Sequence, residues 1–247
     1  MNVRAALAPS PPAGLASARA SLYRLLAEAL SYPDAETAAL VRGAYLDDAL
    51  DAVGLLNADI AAAVRALRRA LAGLDAGEAE RAFVATFGHA RPQVAVPYEC
   101  PYVTTNLFQE SDTLADIAGF YRAFGVEPGA SRAERHDHIV LELEFMYLLT
   151  FKEAGALGGA MDARAEICRD AQRSFLAAHL GRWGMRFFEQ LEATGAPPYH
   201  AAVAHLGAAF MRYEAARFDL EPERTARPVL LPDEADASCP LAPGGEP

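Results

Sequence analysis

From His138 to Met146 the chain reads His-Ile-Val-Leu-Glu-Leu-Glu-Phe-Met, and this stretch limits the fold most. Wound at about 100° per residue, a helix here puts Asp137, Leu141, Glu144 and Leu148 on one face and His138, Glu142, Phe145 and Leu149 on the next. Ile139, Leu143 and Met146 fill much of the remainder. A helix that is apolar nearly all round has no solvent face, so it belongs at the centre of a domain with other helices about it. The acids and histidines it carries need partners there, because an unpaired buried charge is costly. A functional site is one explanation for them, and a satisfied structural network is the other.

Helical spacing continues through most of the chain. Val, Ile and Thr are sparse and no stretch alternates as a half-buried strand does. The pattern predicts helices over about 16–31, 34–55 (broken near Gly43), 58–74, 78–87, 112–124, a central one to about 155, then 160–180, 182–194 and 198–218. Ser131-x-x-Glu134 is a capping-box pattern that would start the central helix as early as 132. Gly125 suits the position just past a helix end. Pro92, Pro97 and Pro101 interrupt the helices between Gly88 and Asn106, and 126–136 reads as a hinge loop between two lobes. The expectation is an all-α, single-domain irregular bundle of about nine helices over 16–220, with a flexible start at 1–15 and a disordered, Pro- and acid-rich tail over 221–247.

Composition excludes several classes. The 247 residues are 52% hydrophobic, enough for one core, and the net charge of −11 argues against a nucleic-acid binder, which needs a basic surface. It suits a partner that carries positive charge. Cys100, Cys168 and Cys239 are odd in number and far apart, which is no disulfide framework and fits a reducing compartment. Pro9, Pro11 and Pro12 break any apolar signal-peptide core near the N-terminus, and no long charge-free apolar window suggests a membrane span. A cytoplasmic protein is expected.

His138 and Glu142 stand four apart, a spacing at which two side chains can share a ligand. A metal site needs further ligands at compatible spacing, and no His-Glu-x-x-His or second Glu-x-x-His pattern supplies them. The plainer alternative makes Asp137 a neutraliser of the helix start and His138 a hydrogen-bonded core residue. No Gly-x-Ser-x-Gly elbow is present, and Cys100 lies between prolines with no sign of thiolate activation. The loop Val96-Pro97-Tyr98-Glu99-Cys100-Pro101-Tyr102 holds aromatics and an acid between prolines, as a binding loop does and as a structural plug also would. Trp183, before Phe187 and Phe188, fits a core or the lining of an apolar groove.

Four motifs in order resemble the TorD/DmsD family of molybdoenzyme maturation chaperones. They are Pro97-Tyr98-Glu99, Leu114-Ala115-Asp116-Ile117-Ala118-Gly119-Phe120-Tyr121, Asp137-His138-x-x-x-Glu142-Leu143-Glu144-Phe145-Met146, and Phe175-Leu176-x-x-His179-Leu180-x-x-Trp183. The similarity covers about residues 18–220, and His136 stands where the family more often has proline. The 114–125 wording is similar to chaperones of ethylbenzene, dimethylsulfide and selenate enzymes. The resemblance implies an all-α, non-catalytic protein with no cofactor of its own. Its partner would be the catalytic subunit of a molybdopterin oxidoreductase, its twin-arginine leader, or both, held until the cofactor is in place. It implies no nucleic acid and no membrane insertion, and it leaves a monomer or a domain-swapped dimer open. The residues expected to bind client or leader are Asp137, His138, Glu142, Glu144, Tyr98, Glu99, Tyr121 and Trp183. A helical metal enzyme using His138 and Glu142, or a permanent subunit of a redox complex, are the alternatives.

Overall fold

A computed structural model describes residues 11–88, 95–126, 134–193 and 195–221. Among these the chain is helical, with α1 (Pro11–Leu30), α2 (Ala35–Leu40), α3 (Leu46–Ala52), α4 (Ala58–Leu71), α5 (Ala76–Phe87), α6 (Cys100–Val103), α7 (Leu107–Ala123), α8 (Ile139–Gly158), α9 (Asp162–Ala178), α10 (Leu180–Ala193) and α11 (Pro198–Arg217). The fold is all-α, a single domain, as the periodicity indicates. The one extended pairing among the described residues is an isolated antiparallel bridge between Tyr98 and His138.

Local chemistry sets most helix ends. Asp34, Asn57 and Asn106 cap α2, α4 and α7 by accepting backbone N–H groups, and Asp75 with Glu78 forms a capping box on α5. Gly125 adopts φ +71°, the left-handed conformation that closes α7. Pro11 and Pro12 occupy the first turn of α1, where proline costs no hydrogen bond, so that helix starts five residues earlier than its apolar stripe suggests. The break foreseen near Gly43 is a π-turn over Val41–Tyr45 with Gly43 at φ −108°, ψ −107°. That break and the short α6 divide the chain more finely than the nine helices expected.

The start of α8 is a correction. Glu134 to Asp137 are not helical, and the helix begins at Ile139 with His138 as its N-cap. The reason is tertiary. Ile139 donates its N–H to Pro97 O at 2.9 Å, and Glu99 donates to Asp137 O at 2.9 Å. Backbone committed to another segment cannot wind into a first turn. Asp137 and His138 therefore lie ahead of the helix rather than on its faces. Ser131 and most of the expected hinge fall outside the described residues, as does the expected tail beyond Glu221.

Helix α8 packs along α1 and α9, while α11 packs on α10 and α4. Burial follows the sequence, since Ile139, Leu143, Phe145, Met146 and Leu149 are all enclosed. A polar knot, not foreseen, joins four helices at this centre. Arg19 of α1 donates Nε to Glu214 Oε1 of α11 at 2.7 Å and Nη2 to Gln172 Oε1 of α9 at 2.7 Å, and its Nη1 lies 3.3 Å from Glu153 Oε2 of α8. Tyr23 OH adds a bond to Glu214 Oε2 at 2.8 Å. Arg19, Tyr23, Gln172 and Glu214 have no solvent exposure.

Candidate functional site

The proline loop is held by the segment that enters α8. Beyond the two backbone bonds already given, the Asp137 carboxylate is fully buried and takes three donors. They are Arg135 Nε at 3.0 Å, Arg135 Nη2 at 2.9 Å and the Cys100 N–H at 3.1 Å. Arg135 also reaches Glu110 of α7 at 2.6 Å and lies 5.4 Å above the Tyr98 ring. Tyr98 donates its hydroxyl to Glu134 at 2.7 Å, and its ring meets His138 edge to face with centroids 4.9 Å apart. The His138 Nδ1 accepts the Val140 N–H at 3.3 Å. Tyr98 and His138 thus form a half-exposed aromatic edge on a clamped loop.

Behind that edge sits a buried carboxyl pair. Glu99 and Glu142 are both without solvent exposure. Trp183 donates its indole N–H to Glu142 Oε2 at 3.1 Å. Among the described residues no donor reaches Glu142 Oε1, and the Glu99 carboxyl lies close to the Glu142 carboxyl. Two such oxygens can be joined only by a proton that one of them carries. Burial, then the neighbouring Glu99 charge, push Glu142 well above the usual carboxylate range, so Glu142 holds it. Burial raises Glu99 as well, but His179 works against that rise. The His179 Nδ1 lies 3.1 Å from Glu99 Oε2 and its Nε2 lies 3.2 Å from Asp116 Oδ2 of α7. The imidazole thus bridges the buried Glu99 to Asp116 at the surface. Tyr121 closes the cluster by donating to His136 O at 3.0 Å.

The structure brings Asp137, Glu99, Glu142, Tyr121 and Trp183 together as an enclosed network, with Tyr98 and His138 at its outer edge. Glu144 is half-buried on α8. Burial, then the charges of Glu142, Glu99, Asp137 and Glu144 in that order, raise the Tyr121 hydroxyl pKa. Sequence reasoning missed His179, Asp116 and Arg135 as members. His179 stands four residues before Trp183, a visible spacing, but its contact with Glu99 spans 80 positions. His138 and Glu142 do not converge on a shared ligand, since one caps α8 and the other is turned onto Trp183. Among the described residues no group of three or more His, Cys, Asp or Glu could hold a metal ion. Cys100 opens α6, yet burial and the adjacent Asp137 push its thiol up, which keeps it protonated and unreactive.

Residues 54–189, which hold every member of this network, match the model of a family described as nitrate reductase delta subunit. The chain belongs to that family. The membership agrees with the TorD-like motifs. Among relatives of this delta-subunit family member is the chlorate reductase assembly chaperone protein of Ideonella dechloratans, 40% identical over 81 residues, which are 33% of this chain and 41% of the relative. The perchlorate reductase assembly chaperone protein of Dechloromonas aromatica (strain RCB) is 28% identical over 199 residues, 78% of this chain and 87% of its own. The selenate reductase assembly chaperone protein of Thauera selenatis is 38% identical over 81 residues, again 33% and 41%. The chain thus spans less than half the length of two of these relatives. Selenate enzymes are among those whose chaperones the 114–125 segment resembles.

Proposed function

We propose that this chain is a maturation chaperone for a molybdopterin-containing reductase. In this proposal it is not an enzyme. It works in the cytoplasm, binding the apo catalytic subunit, its twin-arginine leader, or both, until the cofactor is inserted. The observation that carries this is the clamped Tyr98–His138 edge within the family region, since a rigid loop backed by a satisfied network is a recognition device. The relatives' names support the coarser statement, a maturation chaperone for reductases. No helix among the described residues is long and apolar enough to cross a membrane.

The division of labour follows from burial. Tyr98, His138 and Glu144 reach the surface and make the contact, while Glu99, Asp137, Glu142, Tyr121 and Trp183 hold them in place. Calorimetric titration with apo catalytic subunit, with leader peptide and with cofactor-loaded enzyme tests the proposal. Binding to one of the first two, lost with the loaded enzyme, is expected. Equal affinity for loaded enzyme would instead favour a permanent subunit. His138→Ala combined with Tyr98→Phe should weaken client binding in a folded protein. Asp137→Ala is a poorer test, because it leaves the Cys100 N–H without its acceptor and removes the partner of Arg135.

A further inference from the structure

Helix α7 is unlike its neighbours. Of its 17 residues only Ile117 and Tyr121 are buried, whereas α8 buries residues along its whole length. Its C-terminal half is held by Asp116 on His179 and by Phe120 and Tyr121 against Phe175. Its N-terminal half stands clear, with Leu107 68% and Phe108 85% exposed, the latter the most exposed large apolar side chain among the described residues. No packing among the described residues explains a phenylalanine there.

The charge of the same half is one-sided. From Asn106 to Tyr121 the sequence contains Glu110, Asp112 and Asp116 and no Lys or Arg. Glu110 is joined to Arg135, and Asp116 to His179. Asp112 is exposed and makes no ion pair or hydrogen bond among the described residues. Four residues apart, Phe108 and Asp112 lie on one helix face, followed by Ala115 and Gly119. A Cβ added at Gly119 would meet nothing within 4 Å, so the track beyond Asp112 is open. The surface is continuous with the Tyr98–His138 edge, because Arg135 touches Glu110 on one side and covers the Tyr98 ring on the other.

We propose that the Leu107–Gly119 face of α7 is a docking surface for a client segment in which arginine adjoins large apolar side chains, with Phe108 as the apolar anchor and Asp112 as the arginine's partner. This rests on the chaperone reading and extends it from the Tyr98–His138 edge to a second element. The match is one of charge and polarity together. An exposed carboxylate one turn from an unburied aromatic offers a cationic, apolar segment what water and a neutral segment cannot.

The full chain would be titrated with a synthetic peptide of two adjacent arginines followed by a Leu- and Phe-rich stretch, and with a control in which both arginines are glutamate. Phe108→Ser and Asp112→Lys alter only exposed side chains, and unchanged thermal melting would confirm intact folding. Each should weaken binding of the arginine peptide about tenfold. Ile167→Ser, which removes a 60% exposed apolar group on α9, should leave it unchanged. Binding should also weaken as salt rises. Undiminished affinity in both α7 variants, with the wild type binding, would overturn this surface and spare the chaperone reading. Failure of the wild type to bind both this peptide and an apo reductase subunit would overturn the two together.

Discussion

A carboxyl group enclosed by an indole and a second carboxyl has little choice of charge state. Glu142 carries its proton because ionising it would set a second negative charge beside Glu99 in a site closed to water. Its pKa is raised on folding, so the contribution to stability is present below the ordinary carboxylate range and is lost as pH rises through the folded value. Glu142→Gln keeps the shape, still accepts from Trp183 and donates an amide to Glu99. Its melting temperature should exceed that of the wild type, by more at pH 8 than at pH 5, as a calorimetric scan would show. His200 behaves in the opposite sense. It is buried among Phe83, Phe87 and Tyr199, with Nδ1 3.2 Å from Thr86 Oγ1, and burial lowers its pKa to about 4. Between that value and the unfolded one near 6.5 the unfolded chain binds more protons, so stability falls as pH drops through this window. The loss is on the order of 3 kcal/mol. Urea titrations across the window should show that slope and its flattening in His200→Leu. Neither environment was legible in the sequence. Glu142 was visible as a buried acid, but its pairing with Glu99 and Trp183 depends on where distant helices lie.

Whole elements were far easier to read than their meetings. Apolar spacing marked α4, α9, α10 and α11 to within a few residues, because a helix on a core must repeat its apolar face every three or four positions. The α8 start escaped, since a capping pattern is local while the backbone pairing of 97–99 with 137–139 is not. Helix contacts also hide in small residues. A Cβ at Gly207 of α11 would stand 2.3 Å from the Phe188 ring of α10, and Phe188 is wholly buried with no room to retreat. Gly207→Ala should therefore destabilise the protein by about 1–3 kcal/mol despite its better helix propensity, as urea unfolding would measure. The same substitution at Gly119 meets open space and should be neutral or slightly stabilising. Side by side, the two separate a glycine needed for close approach from one that leaves a surface open.

Across the whole molecule the Arg19 knot decides how the parts hold together. Its groups are fully enclosed and mutually satisfied, so the knot adds little net stability over an apolar core, but removing one partner strands the others. Arg19→Met should cost about 3–5 kcal/mol by leaving Glu214 buried without its cation, a loss that chemical denaturation would reveal. No local pattern marks it, because the partners of Arg19 lie 134 to 195 positions away along the chain. The knot also has a consequence in time. Arg19 and Glu214 are 195 positions apart. A ribosome adding about 5–20 residues per second leaves the first helix waiting roughly 10–40 s for its last partner. During that interval α1 has a buried cation's address without Glu214, the anion that Arg19 approaches most closely. Nascent chains halted before α11 should be cut by protease within α1, and chains released at full length should not. A protein that attends others through their assembly would thus pass through its own unguarded interval first.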